Sequence, residues 1–262
     1  MDMTARRWRN GGWVADMPPP PPDESPVAIV LDGVAQAVLM ATPQDLQDFA
    51  TGFAVTERLI DDPADITGFE AAQVSVQGRP AWEARLWLRP GLAVRAAGRR
   101  AAAAPVGCGL CGVDSLEQAL PDVVPVASDL TLTPAELLAG FAALEQGQVL
   151  RLKTPAIHGA CLWRPDGPAL LREDVGRHNA LDKLAGAALR DGTDPTRAVV
   201  VISSRLSVDL VQKCARIGVP VLAGAGAPTR MGLEWAKAAG ITLIGRLRAD
   251  GFDLYAHPER LT

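Results

Sequence analysis

The chain has 262 residues, of which 48% are apolar and 21% are charged, and its formal net charge is -4. No apolar run approaches the length that crosses a bilayer, so these totals exclude a membrane-spanning protein and favour a globular one. The length leaves room for one large domain or two modest ones.

Four cysteines are too few for a disulfide framework in a chain of this length, so we expect reduced thiols and a cytoplasmic protein. The arginine pair near the start, Arg6-Arg7, is not followed by the apolar core of a secretory signal. Neither a membrane nor a nucleic acid is expected as a partner.

The charges are unevenly distributed along the chain. Residues 1–150 hold 10 Lys and Arg against 19 Asp and Glu, whereas residues 151–262 hold 16 against 11. A basic second part is consistent with an anionic ligand, although uneven solvation of the surface would give the same totals.

The chain is predicted to begin with a disordered Pro-rich tail over residues 1–26. Pro18 to Pro22 form an unbroken run, which favours an extended polyproline conformation over packing.

An N-terminal α+β domain is predicted over residues 27–104. Asp32-Gly33 separates two apolar runs and predicts a β hairpin. Thr42 followed by Pro43 predicts the start of a helix. Apolar and polar residues alternate from Trp82 to Leu88, which predicts a strand.

The next feature is a pair of cysteines, Cys108 and Cys111, in the sequence Gly-Cys-Gly-Leu-Cys-Gly. Asp114 and Glu117 form a capping box, so a short helix is predicted to start just after the second thiol. A helix N-terminus favours the thiolate over the thiol, and the thiolate is the reactive species. Arg99 and Arg100 are further cations that could favour ionisation.

Three kinds of chemistry are open to this pair. Structural zinc needs four ligands, and the remaining cysteines and histidines are scattered, so no metal site is expected. A thioredoxin-like dithiol would follow a strand in a small βαβ unit, whereas this pair follows a polar, alanine-rich segment. Transfer of a persulfide sulfur fits better, with redox work as the remaining alternative.

The C-terminal part, predicted over residues 105–262 and beginning with the cysteine loop, repeats strand and helix. Thr133 to Glu136 form a capping box that opens a helix. Ala198 to Ser203 form a β-branched run, which predicts a strand buried on both faces. The spacing of the units predicts a three-layer α/β/α domain around a mainly parallel sheet.

In such sheets the ligand lies beyond the carboxyl ends of the strands. Those ends are predicted at Ser203-Ser204-Arg205, at Ala225 to Thr229 and at Gly245 to Arg248. Hydroxyls, glycines, arginines and helix N-termini therefore meet at one edge, which suits a phosphate group.

Glu173 to Ala180 place two acids, an arginine, a histidine and an asparagine around a glycine at a strand-to-helix junction. This stretch is either a polar turn that caps the next helix or part of a site. His158, on an otherwise apolar strand, is more typical of a satisfied core histidine than of a catalyst.

Together these motifs resemble the FdhD family, the formate dehydrogenase accessory sulfurtransferases, from about Ser25 to the end of the chain. The resemblance is carried by the Cys-Gly-Leu-Cys-Gly pair and by Arg172-Glu-Asp-Val-Gly-Arg-His-Asn-Ala-Leu-Asp-Lys183. Val211-Gln-Lys213 and Ala227-Pro-Thr229 add to it. It implies a C-terminal domain similar to the cytidine deaminase fold, without that fold's zinc signature and hence without a metal of its own.

The resemblance also implies a function. The protein would accept a persulfide sulfur from a cysteine desulfurase and pass it to the bis(molybdopterin guanine dinucleotide) molybdenum cofactor, Mo-bis-MGD, for formate dehydrogenase. Cys108 would bear the persulfide and Cys111 would assist. The implied cofactor contacts, with GDP as a mimic, are Arg246, Leu247, Arg248, Ala249, Asp250 and Gly251. We add Arg205 from a strand end, and His178 and Asn179 from the strand-to-helix junction for proton or hydrogen-bond roles.

A homodimer is expected, because two-fold dimers dominate soluble oligomers and the cofactor has two guanine arms. Two other functions stay open: a chaperone that only binds and delivers the cofactor, and a dithiol oxidoreductase.

Overall fold

The structure is a computed structural model that describes residues 5–92, 122–123 and 125–262. The predicted sulfur site, Cys108 with Cys111, and the arginines at 99 and 100 lie outside the described residues. The elements below are numbered in the order in which they occur among the described residues.

The N-terminal part is a four-stranded sheet with the strand order β4-β3-β6-β5, packed on one helix. Strands β3 and β6 are parallel, and the outer pairs are antiparallel. The elements are β3 Ser25–Leu31, β4 Val34–Ala41, α1 Leu46–Thr56, β5 Ile66–Val76 and β6 Arg79–Leu88.

The predicted hairpin at Asp32-Gly33 is confirmed, because β3 and β4 pair antiparallel around it. Both turn residues have positive φ, 45° for Asp32 and 79° for Gly33, as a two-residue hairpin turn requires. Strand β5 was not predicted from the sequence. It pairs with β6 across Gln77-Gly78, which also have positive φ.

The predicted start of α1 at Thr42 is wrong. The helix begins at Leu46, after Asp45. The backbone N–H of Thr42 donates instead to Asp174 Oδ2 at 3.0 Å, and Thr42 Oγ1 accepts from the N–H of Val175. A tertiary contact with the second sheet therefore replaces the local cap.

The C-terminal part is a six-stranded sheet with the order β12-β11-β10-β9-β7-β8. Only β9, β10 and β11 run parallel, and the other three strands pair antiparallel, so the sheet is mixed rather than mainly parallel. Its strands are β7 His158–Trp163, β8 Leu170–Asp174, β9 Val199–Ile202, β10 Val221–Gly224, β11 Thr242–Arg248 and β12 Gly251–Ala256.

Helices cover both faces of this sheet, so the three-layer α/β/α prediction is confirmed. Val199 and Val201 point toward α2, whereas Val200 and Ile202 join the core on the opposite face. The predicted capping box of Thr133 and Glu136 opens α2. The helices are α2 Pro134–Gly147, α3 Val149–Lys153, α4 Arg177–Arg190, α5 Val208–Arg216 and α6 Arg230–Ala239.

The two parts share one continuous hydrophobic core, because α1 lies between the N-terminal sheet and α4. The backbones of α1 and α4 touch at two glycines. A Cβ on Gly52 would lie 1.8 Å from the carbonyl oxygen of Asp182, and one on Gly186 would lie 1.9 Å from that of Asp48. The predicted domain boundary near residue 104 therefore does not separate two independent cores.

Part of the segment predicted as a disordered tail, residues 1–26, forms regular structure near its start. Strands β1 Arg7–Arg9 and β2 Gly12–Val14 form an antiparallel hairpin around Asn10-Gly11. Asn10 and Gly11 both have positive φ, so this too is a two-residue hairpin turn of the kind that Asn-Gly favours. None of the described helices is both long and apolar enough to span a membrane.

Candidate functional site: an arginine-lined cleft

The polar strand ends meet at one edge of the C-terminal sheet, as the sequence predicts. Strands β9 and β10 end there, and β7 begins there because it runs antiparallel to β9. A cleft of about 660 Å³ opens at this edge. It is lined by Phe141, Glu145, Arg151, His158, Arg177, Ser203, Ser204, Arg205, Ala225, Gly226 and Arg248.

Positive charge dominates the cleft. Four arginines line it against one carboxylate, that of Glu145. Arg205 and Arg248 were predicted from the strand ends. Arg151 and Arg177 were not assigned to a ligand, because their proximity to the other arginines depends on the placement of α3 and α4. Four guanidiniums around an open cleft favour a phosphate-bearing ligand.

The structure also places His158 in the cleft, so its prediction as a core histidine is wrong. Its Nδ1 lies 3.3 Å from Ser203 Oγ, which accepts the N–H of Gly159 at 3.0 Å. Burial, with the charges of Arg177 and Arg151, lowers the pKa of His158. The neutral ring can accept a hydrogen bond from the Ser203 hydroxyl at Nδ1. Its own proton then stays on Nε2, where it can be donated in a hydrogen bond to an anion.

Backbone geometry shapes the floor of the cleft. A Cβ on Gly226 would lie 2.7 Å from the Cα of Arg205, so only glycine fits at this crossing of two strand ends. Arg248 Nη1 donates to the carbonyl of Ala225 at 2.6 Å, which ties β11 to the end of β10. Glu173 accepts the N–H groups of Leu150 and Arg151 and so fixes the helix that carries Arg151.

The predicted contacts at residues 246–251 lie on the hairpin between β11 and β12, which extends past the predicted strand end. Arg248 reaches the cleft, whereas the side chain of Arg246 is 70% exposed and lies 3.4 Å from Asp253. Leu247 is buried in the core against α2, so a contact from it would come from its backbone. Ala249 and Asp250 are exposed, and a Cβ on Gly251 would meet no atom within 4 Å.

Asn179 is engaged within the fold. Its side-chain amide donates to the carbonyl of Met40 and to Asp174 Oδ1, both at 2.9 Å. Asp174 Oδ2 pairs with Lys183 Nζ at 2.7 Å, and Lys183, which is fully buried, also donates to the carbonyl of Thr42. These contacts hold the segment after β4 against the second sheet.

His178 lies in the first turn of α4 and pairs with Asp209 in the first turn of α5. Burial alone would raise the pKa of Asp209, but the hydrogen bond and charge of His178 lower it overall. Neither residue is among those that line the cleft. Contacts of His178 and Asn179 with a cofactor therefore stay predictions.

A second buried ion cluster joins the two parts of the chain. Lys213 Nζ donates to both oxygens of Asp182 at 2.8 and 3.0 Å, to Glu57 Oε1 at 2.7 Å and to Thr56 Oγ1 at 3.0 Å. Burial would lower the pKa of Lys213, but the two carboxylates raise it above its ordinary value. The lysine is therefore charged throughout the physiological range.

The acid-rich motif between Arg172 and Lys183 thus has mainly a structural role. Arg172 pairs with Asp48 of α1 at 2.7 Å, Asp174 and Lys183 hold the loop before α1, and Asp182 binds Lys213. Of this motif only Arg177 lines the cleft. The alternative interpretation, a polar junction that organises the fold, accounts for most of the stretch.

The two described cysteines are unsuited to nucleophilic chemistry. Cys161 and Cys214 are fully buried, and burial raises the pKa of the Cys161 thiol to about 12 and that of Cys214 further still. Within the described part of the chain, no three His, Cys, Asp or Glu side chains come together as metal ligands. Cys108 and Cys111 therefore stay the predicted thiols for sulfur chemistry.

This difference predicts the pattern of thiol labelling. Iodoacetamide at neutral pH should modify Cys108 and Cys111 in the folded protein and leave Cys161 and Cys214 unmodified, because only a thiolate reacts and both buried thiols stay protonated. Peptide mass spectrometry would locate the adducts, and a denatured sample labelled at all four positions is the control. Rapid native labelling of Cys161 would contradict the expectation.

Comparisons with known proteins agree with the motifs. The sequence model of the FdhD/NarQ family matches residues 22–262. This chain is a member of the FdhD/NarQ family. A sulfur carrier protein FdhD from Cupriavidus necator is 42% identical to this chain, and the alignment covers 97% of this chain and 88% of the relative. A second, from Agrobacterium fabrum, is 43% identical, and that alignment covers 92% of this chain and 88% of the relative.

A solved structure shares the fold of this FdhD/NarQ member. It is described as a formate dehydrogenase accessory protein from Desulfotalea psychrophila and superposes with a TM-score of 0.70. It is 27% identical, and the match covers 92% of this chain and 90% of the other.

Proposed function

We propose that this FdhD/NarQ member is a cytoplasmic sulfurtransferase that takes a persulfide sulfur from a cysteine desulfurase and transfers it to Mo-bis-MGD for formate dehydrogenase. The observation that carries the proposal is the arginine-lined cleft at the sheet edge, in a chain whose relatives are named sulfur carriers. Such a cleft suits the pyrophosphate of a guanine dinucleotide.

The loading step is a thiol exchange. The thiolate of Cys108 attacks the outer sulfur of the donor persulfide, a new S–S bond forms on Cys108, and the donor's S–S bond breaks to leave a donor thiolate. No net oxidation or reduction occurs, because one persulfide replaces another. Cys111 is the second thiol available to assist this exchange.

The acceptor is a substrate, and the described residues fit its phosphate groups. Arg205 and Arg248 would neutralise the pyrophosphate, Arg151 and Arg177 add charge, and the neutral imidazole of His158 can donate from Nε2. The molybdenum centre would arrive with this substrate.

A first prediction tests the cleft with GDP as the probe. Replacing Arg205 with alanine should weaken GDP binding about tenfold, because one charge-assisted hydrogen bond to a phosphate is lost. Isothermal titration calorimetry at fixed salt would measure the affinity. Arg197→Ala, an exposed arginine at the opposite edge of the sheet, is the matched control. Equal affinities for both variants would contradict the assignment of the cleft.

A second prediction tests the thiol. Incubation with a cysteine desulfurase and free cysteine should add the mass of one sulfur atom to the wild-type chain and none to Cys108→Ala. The same substitution should abolish the activity of the client formate dehydrogenase in cells. Cys111→Ala, assayed alongside, assigns the role of the second thiol.

The two alternatives give different results in these assays. A chaperone that only delivers the cofactor would keep its client active in Cys108→Ala cells. A dithiol oxidoreductase would form a Cys108–Cys111 disulfide and gain no sulfur mass. Either result would overturn the sulfurtransferase proposal.

A further inference from the structure

Among the described residues, the arginine-lined cleft contains one carboxylate, that of Glu145. Glu145 lies in the last turn of α2 and is exposed. No hydrogen bond or ion pair joins it to another described residue, although four guanidiniums line the same cleft. A carboxylate that only balanced these charges would be expected to pair with one of them. Its acceptor oxygens are therefore available to a ligand.

An aromatic ring lines the cleft beside this carboxylate. Phe141 is four residues before Glu145 in α2, and both side chains line the cleft, so they lie on the same side of the helix. Phe141 is only 6% exposed, because most of its ring packs in the core between α2 and the sheet. An apolar wall next to an acceptor group suits a planar heterocycle with N–H donors at its edge.

The two sides of the cleft differ in charge. Helix α2 packs on one face of the sheet and α4 on the other, and residues of both line the cleft. Glu145 lies near the C-terminus of α2, the negative end of the helix dipole, whereas Arg177 is the first residue of α4, at the positive end. Arg205 and Arg248 add positive charge at the strand ends. A phosphate is therefore favoured beside these arginines and disfavoured beside Glu145.

The edge of a guanine base matches such an acceptor. Guanine presents two adjacent N–H donors, on N1 and on the 2-amino group, and a carboxylate can accept both in parallel. Adenine and cytosine present an acceptor next to a donor at the corresponding edge, so one of the two contacts would place lone pairs against each other. The cleft volume, about 660 Å³, is within the usual range for small-molecule sites.

We propose that Glu145 accepts hydrogen bonds from N1 and the 2-amino group of a guanine base, which lies against Phe141 while its phosphates lie among the arginines. Glu145 is then the residue that selects a guanine nucleotide over other nucleotides. The inference rests on the proposed function, which supplies a guanine dinucleotide as the acceptor. It adds a determinant of base specificity on α2, outside the predicted contacts at residues 246–251.

Isothermal titration calorimetry with GDP and inosine diphosphate isolates the contact with the base. The two ligands differ only in the 2-amino group, so the ratio of their dissociation constants does not depend on the phosphates. The full-length wild-type chain should bind GDP about tenfold more tightly, because a hydrogen bond to a charged group is lost with inosine diphosphate. Glu145→Gln should weaken GDP binding about tenfold and bring the ratio to within about twofold, because the glutamine amide places a donor against a donor.

Inorganic pyrophosphate separates recognition of the base from a simple effect of charge. Glu145→Gln removes a negative charge from the cleft, so it should bind pyrophosphate as tightly as the wild type or more tightly. Glu234→Gln, which removes an exposed carboxylate of α6, is the matched control and should leave all three affinities unchanged. A Glu145→Gln chain that binds GDP as tightly as the wild type, or that loses GDP and pyrophosphate by the same factor, would overturn the proposal.

Failure of this inference is distinguishable from failure of the proposed function. Equal wild-type affinities for GDP and inosine diphosphate would overturn recognition of the base, whereas weaker GDP binding by Arg205→Ala would still support the cleft as a phosphate site. A wild-type chain that binds neither GDP nor pyrophosphate would overturn both assignments of the cleft. Sulfur loading of Cys108 is measured separately by mass, so it does not depend on the role of Glu145.

Discussion

Replacing Lys213 with methionine should lower the free energy of unfolding by about 3–5 kcal/mol, a large part of the stability of a typical domain. The substitution leaves Asp182 buried without a cation, and Glu57 loses the same partner. Burial already raises the pKa of Asp182, and it would rise further without the ammonium group. Urea denaturation followed by circular dichroism would measure the loss.

Two further variants separate the buried charge from the side chain itself. Lys237→Met removes an exposed lysine of α6 and should change stability by less than about 0.5 kcal/mol. Removing both charges, in Lys213→Met/Asp182→Leu, should recover much of the loss, because an apolar pair needs no compensation. A Lys213→Met protein as stable as the Lys237 control would refute this account of the cluster.

Alanine at Gly186 should destabilise the protein by about 1–3 kcal/mol or more, although alanine is the better helix former by about 1 kcal/mol. The new Cβ would lie 1.9 Å from the carbonyl oxygen of Asp48, a backbone atom that cannot rotate away. Helices α1 and α4 would have to separate, and the cluster around Lys213 would open with them. Thermal and urea denaturation would report the loss.

Gly68→Ala is the matched control for the glycine contact. A Cβ there would meet only the Trp87 side chain, 3.6 Å away, at an ordinary van der Waals distance. We expect stability within about 0.5 kcal/mol of wild type for this variant. A Gly186→Ala protein that matches it would show that the helices do not cross as closely as described.

The predictions that held depended on local patterns. The hairpin at Asp32-Gly33, the capping box of Thr133 and the doubly buried strand around Val200 each follow from a short stretch of sequence. The polar edge of the second sheet followed from the order of its strands, because the carboxyl ends of parallel strands meet.

Two of the predictions that failed involved partners far away in the sequence. Thr42 has the local pattern of a helix cap, but it is bound by Asp174, 132 residues later. His158 lies on an apolar strand, yet the antiparallel pairing of β7 with β9 brings it beside Ser203. The mixed sheet was not predicted, because β7, β8 and β12 pair antiparallel and the pairing of β7 with β9 joins strands that are far apart in the sequence.

The continuous core around α1 has a consequence for how this chain can be divided. Neither residues 25–92 nor residues 125–262 should be soluble as recombinant fragments, because each would uncover the apolar face that α1 and α4 now bury against one another. Proteolytic nicking between residues 93 and 121 would leave two pieces that elute together as one particle.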